Sequence, residues 1–178
     1  MANLALNLGS GKDWRRDFIN ADINPAKNPD WVLDITKVPW GQRIITRHGE
    51  FLVEPGCFEV IVANDVLEHI PDLVTAMTNC KELLHKDGEF HIHVPYDLSY
   101  GAWQDPTHVR AFNEKSWLYY TDWHWYLGWK DRFYLQTMEF ELSEIGTRMA
   151  SEEKLDIEQL AVVPRAIDAM RIVLTKQP

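Results

Sequence analysis

The sequence predicts an α/β fold, a mostly parallel sheet with an antiparallel edge strand, in one domain across residues 1–178. Three observations carry that prediction. Leu4-Ala5-Leu6-Asn7-Leu8-Gly9-Ser10-Gly11 is a short apolar run broken by two glycines, the pattern of a buried strand ending in a tight loop. Residues 58–64 form a continuous β-branched run, followed by helical spacing over 71–86 and alternation over 89–95, so strand, helix and strand follow one another as in a parallel unit. Two β-rich runs, 132–142 and 169–175, supply the sheet edge.

The elements follow in order. Phe18-Ile19-Asn20-Ala21-Asp22-Ile23 reads as the second strand, yet only residues 12–17 separate it from the glycine loop. Six extended residues reach about 20 Å, enough to run back along a short strand but not to coil as well, so the first crossover helix is predicted to be missing. Trp14 is placed to cover part of the sheet face left open. After a Pro- and Asn-rich turn at 24–30, Trp31-Val32-Leu33-Asp34-Ile35 reads as a third strand, and Pro39-Trp40-Gly41 breaks the chain. Residues 44–58 show no sustained period and are read as loop, with a short helix or strand at most. Over 71–86, Leu73, Ala76, Met77, Cys80, Leu83 and Leu84 recur at helical spacing, with Pro71 suited to an early position and Gly88 to the C-terminal cap. A further helix is expected within 113–126, and a polar, partly helical connection between the two tail runs.

Composition narrows the function. A net charge of −9, with 18 Lys and Arg against 27 Asp and Glu, offers no long basic run for a phosphate backbone, so nucleic acid is an unlikely substrate. No apolar run approaches the length of a bilayer span. The lack of a basic, apolar leader pattern and the presence of only two cysteines, Cys57 and Cys80, place the expected setting in a reducing cytoplasm, with both thiols as packing residues. Five of the eight tryptophans, Trp103, Trp117, Trp123, Trp125 and Trp129, crowd into residues 96–134. That segment reads as a lid over substrate, a subunit interface or ordinary core, and with one sheet face poorly covered a homo-oligomer is expected.

The glycine loop and the acid that ends the second strand outline a nucleoside site, although Gly-Ser-Gly by itself equally fits a plain strand-to-loop turn. Missing β-carbons let backbone approach a ligand, and a carboxylate at the carboxyl end of a parallel strand can accept both hydroxyls of a ribose. Asp34 falls at the same sheet edge as Asp22.

More specific is Val62-Ala63-Asn64-Asp65-Val66-Leu67-Glu68-His69-Ile70-Pro71-Asp72, which resembles the segment after the fourth strand of class I S-adenosylmethionine-dependent methyltransferases. Leu83-Leu84-His85-Lys86-Asp87-Gly88-Glu89-Phe90 is similar to their turn into the fifth strand; Leu6 to Gly11, Asp22 and the Asp34-Ile35-Thr36 stretch match earlier motifs in order. The short first crossover resembles a compact, type-11-like subgroup. The resemblance implies a Rossmann-like fold and S-adenosylmethionine as cofactor. It implies Asn7, Leu8, Gly9, Ser10 and Gly11 along the methionine part, Asp22 and Ile23 at the ribose, Asp34 and Ile35 at the adenine, and Asn64, Asp65 and Val66 along the far wall. Asn7 stands where such enzymes often carry an acid.

Methyl transfer needs alignment and, for a hydroxyl or amine acceptor, a place for a proton. Tyr96, Asp97, Asp105, His108 and Arg110 follow the fifth strand, where the methyl would emerge, and His108 as base with Asp105 as its orienting partner is the expected catalytic pair. The alternative is a turn at Asp105-Pro106 and a packing role for His108. Asp105-Pro106-Thr107 lacks the aromatic residue that would stack on a flipped base. His91 and His93 share a strand face, but a metal would need His108, Asp97 or Asp105 to complete the set, so no metal is assigned and hydrogen-bonded histidines are expected. The resemblance implies that Glu68 and His69 set the start of the following helix beside the pocket, with a direct role for His69 as the alternative.

The function expected is methyl transfer to an oxygen or nitrogen of a small metabolite or saccharide. Two alternatives stand beside it: a cofactor-binding regulatory protein without catalysis, and a methyltransferase acting on nucleic acid or protein.

Overall fold

The computed structural model describes residues 4–177. Seven strands, β1 (Ala5–Leu8), β2 (Ile19–Asp22), β3 (Trp31–Val32), β6 (Phe58–Asn64), β7 (Leu84–Pro95), β8 (Phe133–Leu142) and β9 (Ile167–Lys176), form one sheet in the order β3-β2-β1-β6-β7-β9-β8. Every pairing from β3 to β7 is parallel, and β9 runs antiparallel to both β7 and β8, so the two tail strands close the edge as the sequence implies.

The parallel register sorts side chains into two unlike faces. One row, Ile19, Leu6, Ile61, Phe90 and Leu174, runs across five strands and is buried throughout. The helix α1 (Leu73–Leu83) places Leu73, Ala76, Met77, Cys80 and Leu83 in this same core, joined by Trp31, Phe51 and Phe58 through edge-on ring contacts. The neighbouring row on the other face reads Asn20, Asn7, Val62, His91, Val173 and Thr137, four of the six polar. No helix lies between β1 and β2 among the described residues, in agreement with the length argument.

Three side chains hold the helix-free crossover instead. Asn20 is fully buried; its amide donates to the carbonyls of Arg15 and Phe18, and its Oδ1 accepts from the Arg15 N–H and from Asn7 Nδ2. Asn7 Nδ2 also donates to the Asp13 carbonyl at 2.5 Å. Arg47 stacks its guanidinium 3.5 Å from the centre of the Trp14 ring and donates to the carbonyls of Arg15 and Arg16. Trp14 therefore works as the platform for Arg47 and remains partly exposed.

Arg47 sits in the turn of an antiparallel hairpin, β4 (Arg43–Thr46) and β5 (Gly49–Leu52), where the sequence lacked a period because Phe51 is the one buried residue and Ile44 only partly covers the core. The third strand keeps two ladder residues before a 3₁₀ turn at Ile35–Lys37. α1 starts from Asp72, whose side chain accepts from the Thr75 N–H, and ends without a glycine cap: the chain enters β7 directly at Leu84, Asp87 takes the left-handed turn and Gly88 lies within the strand. The helix expected over 113–126 is replaced by two 3₁₀ turns, Leu118–Tyr120 and His124–Leu127. Aromatic crowding explains the difference. Trp117 is buried and stacked on Phe112 with ring centres 5.5 Å apart, whereas Trp123, Trp125 and Tyr126 stay exposed, so no single helical face could serve them all. Cys57 and Cys80 are free thiols, and Cys80 is completely buried.

Candidate functional site

The expected residues gather at the carboxyl ends of β1, β2, β6 and β7. Gly9 and Gly11 have φ of 64° and 45°, the left-handed region that favours glycine. A side chain at Gly9 would run into Val66, so this glycine also sets how closely the segment after β6 can lie. Ser10 and Gly11 turn the loop onto β2: the Ser10 N–H donates to the Ala21 carbonyl at 2.9 Å and the Gly11 N–H to Asp22 Oδ2 at 2.8 Å. Asp22 Oδ1 accepts from the Asn24 N–H at 2.8 Å, which fixes the carboxylate while leaving lone pairs on both oxygens. The buried Ser10 hydroxyl has no hydrogen-bond partner among the described residues.

Other expected contacts are arranged differently. Asn7 is buried with its amide committed to Asp13 and Asn20, so it braces the loop from the helix-free side of the sheet. Leu8 is core and Ile23 is largely exposed beside Asp22. Asp34 caps the turn at Ile35–Lys37; the Thr36 hydroxyl and N–H and the Lys37 ammonium hold its carboxyl below the usual range. The Ile35 carbonyl accepts from Asn79 on α1 at 2.7 Å. Asn64 donates to Asp13 Oδ2 at 3.3 Å. Asp65 has φ of 52° and turns its carboxylate to His93 Nδ1 at 2.8 Å, and that hydrogen bond raises the His93 imidazole. Of the trio after β6, Val66 is the one against the glycine loop.

The segment after β7 folds back onto the segment after β6. The Val109 N–H donates to the Glu68 carbonyl at 2.9 Å, and Arg110 donates to the carbonyls of Ile70 and Pro71. This return sets His108 against His69, ring centres 4.6 Å apart, and brings its Nε2 to 4.0 Å from Glu68 Oε1. Glu68 is 1 % exposed, and neither carboxylate oxygen has a hydrogen-bond partner among the described residues. Burial pushes its carboxyl up to about 7.

The histidine tautomers follow from their partners. His108 Nδ1 lies 3.0 Å from the Ala102 carbonyl, which can only accept, so Nδ1 is the donor and, in the neutral ring, Nε2 carries the lone pair. The Thr107 hydroxyl donates to Asp105 Oδ1 at 2.6 Å and lies 3.0 Å from His69 Nδ1, so it accepts from that nitrogen and leaves His69 Nε2 free. Asp105, expected beside His108, thus acts on His69 through Thr107; the Ala102 carbonyl orients His108. Sequence reasoning gave Glu68 and His69 a role at the helix start. The one signal for more was the adjacency of an acid and an imidazole directly after a strand end.

No family model and no curated protein matches the sequence. Solved structures do match. One is a methyltransferase of Archaeoglobus fulgidus described as dependent on S-adenosylmethionine, with a TM-score of 0.62 and 16 % identity over 98 % of this chain and 86 % of that one. The YcgJ protein of Bacillus subtilis gives 0.59 and 14 % over 99 % and 92 %. The cyclase SpnF gives 0.61 and 12 % over 98 % and 74 %. The chain therefore has the Rossmann-like fold of class I methyltransferases, as its motifs implied. No helix among the described residues is long and apolar enough to cross a membrane.

Proposed function

We propose that this chain is an S-adenosylmethionine-dependent methyltransferase acting on an oxygen or nitrogen of a small molecule. The observation that carries the reading is the pairing of the Gly9-Ser10-Gly11 turn with Asp22. It presents a backbone cradle, a fixed carboxylate and an orphaned hydroxyl side by side, a donor and acceptor set that fits a nucleoside with a polar tail. Asp22 accepts the ribose hydroxyls, Ser10 Oγ meets the polar tail, and Val66 packs over the turn.

When bound, the cofactor supplies an electrophilic methyl group on a sulfonium. The chain's own residues align the acceptor and manage its proton. His108 Nε2 takes that proton, Glu68 at 4.0 Å stabilises the resulting imidazolium, and the Ala102 carbonyl holds the ring in place. Asp105 is a positioning residue, acting through Thr107 on His69.

Calorimetry with S-adenosylhomocysteine tests the cofactor assignment, with Asp22→Asn as the conservative variant and Asp22→Ala as the severe one. Loss of at least about tenfold in affinity is expected, since bonds to a charged acceptor contribute about 1.5–3 kcal/mol each. Unchanged affinity in both variants overturns the reading. A labelled-methyl assay across hydroxyl and amine acceptors then separates an enzyme from a regulatory binder.

A further inference from the structure

We propose that Glu68, His69 and His108 form a site for a divalent first-row transition-metal ion such as Zn²⁺, and that this ion binds and polarises the methyl acceptor. The inference concerns the acceptor half of the site and rests, for its catalytic consequence, on the methyltransferase reading. Metal binding itself does not depend on it.

Four observations converge. One ligand atom from each of the three residues lies within 4.8 Å of the others. The carboxylate is buried and both its oxygens lack any partner, an arrangement that is costly unless something positive answers it. Both imidazoles donate from Nδ1 to an oxygen, Ala102 O for His108 and Thr107 Oγ1 for His69, which directs an Nε2 lone pair outward from each ring. That is the outer-shell arrangement by which metal-ligating histidines are oriented and made more basic, here extended through Thr107 to the Asp105 carboxylate.

The donor set identifies the ion's class. Two imidazoles and one carboxylate suit Zn²⁺ or a neighbouring first-row ion, whereas Mg²⁺ and Ca²⁺ favour all-oxygen sites. Tetrahedral ligation at about 2.1 Å places ligand atoms about 3.4 Å apart, so the side chains would close by roughly 1 Å on the ion. Three protein ligands leave a coordination position open, as in catalytic rather than structural sites. An acceptor hydroxyl in that position becomes more acidic, so its proton can leave to solvent as its oxygen takes the methyl, and His108 then acts as ligand instead of base. His91 and His93, the other histidine pair, lie on the helix-free sheet face and are hydrogen-bonded to Glu89 and Asp65.

The test uses the full chain stripped of metal with chelator. Titration with Zn²⁺ and, separately, Co²⁺ is followed by calorimetry, and Co²⁺ additionally by its visible absorption. One tight site is expected, with a melting temperature that rises with ion concentration. His69→Ala, His108→Ala and Glu68→Gln should each weaken binding at least tenfold and abolish the cobalt spectrum. Thr107→Val should weaken it by about 10–100-fold, the effect of an outer-shell partner, while His91→Ala changes nothing. Absence of binding, or binding that the three ligand variants leave intact, overturns the proposal. S-adenosylhomocysteine binding is measured on the same variants as a check of folding. Metal binding without nucleoside binding would sink the cofactor reading alone, and the reverse result would sink the metal site alone.

Discussion

Glu68 and His108 face one another across 4.0 Å, and among the described residues the carboxylate has no hydrogen-bond partner at either oxygen. They belong to the loops after β6 and β7, and the Val109 to Glu68 backbone bond fixes their approach.

If that pair handles the acceptor, directly or through an ion, its loss should be felt in turnover and not in cofactor binding. His108→Ala is expected to reduce kcat by about 10²- to 10⁴-fold while the affinity for S-adenosylhomocysteine stays within twofold. Parallel loss of both quantities would show that His108 supports the fold of the site and nothing more.

Gly9 and Val66 provide a coupling test. Gly9→Ala carries left-handed strain of about 1–2 kcal/mol, and its new methyl meets the Val66 side chain. The double variant Gly9→Ala, Val66→Ala should lose less stability than the two single changes added together, by at least about 0.5 kcal/mol in denaturant unfolding. Strict additivity would mean that the loop shifts away from the segment after β6.

Asn7 occupies a position where simple charge pairing would have an acid strengthen the hold on the cofactor's ammonium group. The structure predicts the opposite result for Asn7→Asp. The amide donates to Asp13 O and Asn20 Oδ1 in a buried setting, and a carboxylate would set acceptor against acceptor there. A loss of about 3 kcal/mol is expected, roughly 6–12 °C in melting temperature, with no gain in cofactor affinity.

His93 gives a pH signature on the helix-free face. Asp65 holds its Nδ1, Glu141 lies 3.5 Å from its Nε2, and Arg171, paired with Glu141, opposes them; on balance the imidazole titrates above its ordinary 6.5. A raised histidine adds stability that is fully present below its unfolded value and is lost as pH rises through the folded one. His93→Gln should therefore lower the melting temperature at pH 6 and change it less at pH 9. An equal drop at both values would assign the effect to packing.

Much of this was legible in the chain. Alternation and β-branching located β1, β2, β6 and β7, because those periods record which face of each strand is buried. The two glycines and the acid at Asp22 marked the end of the sheet proposed for the nucleoside, because glycine takes that left-handed backbone with least strain and strand ends present side chains there. Six residues between loop and strand were enough to exclude the first crossover helix.

What the tertiary structure decided was the partner of each polar group. Nothing local told Asn7 that its amide would meet Asn20; the parallel register of β1 and β2 did. Asp105 and His108 are three apart in sequence, yet the turn at Thr107 sends one to His69 and exposes the other to Glu68, about forty residues upstream. Local pattern reports burial and backbone conformation. Who pairs with whom depends on how distant segments return to one another, and that is settled only when the sheet and its loops close.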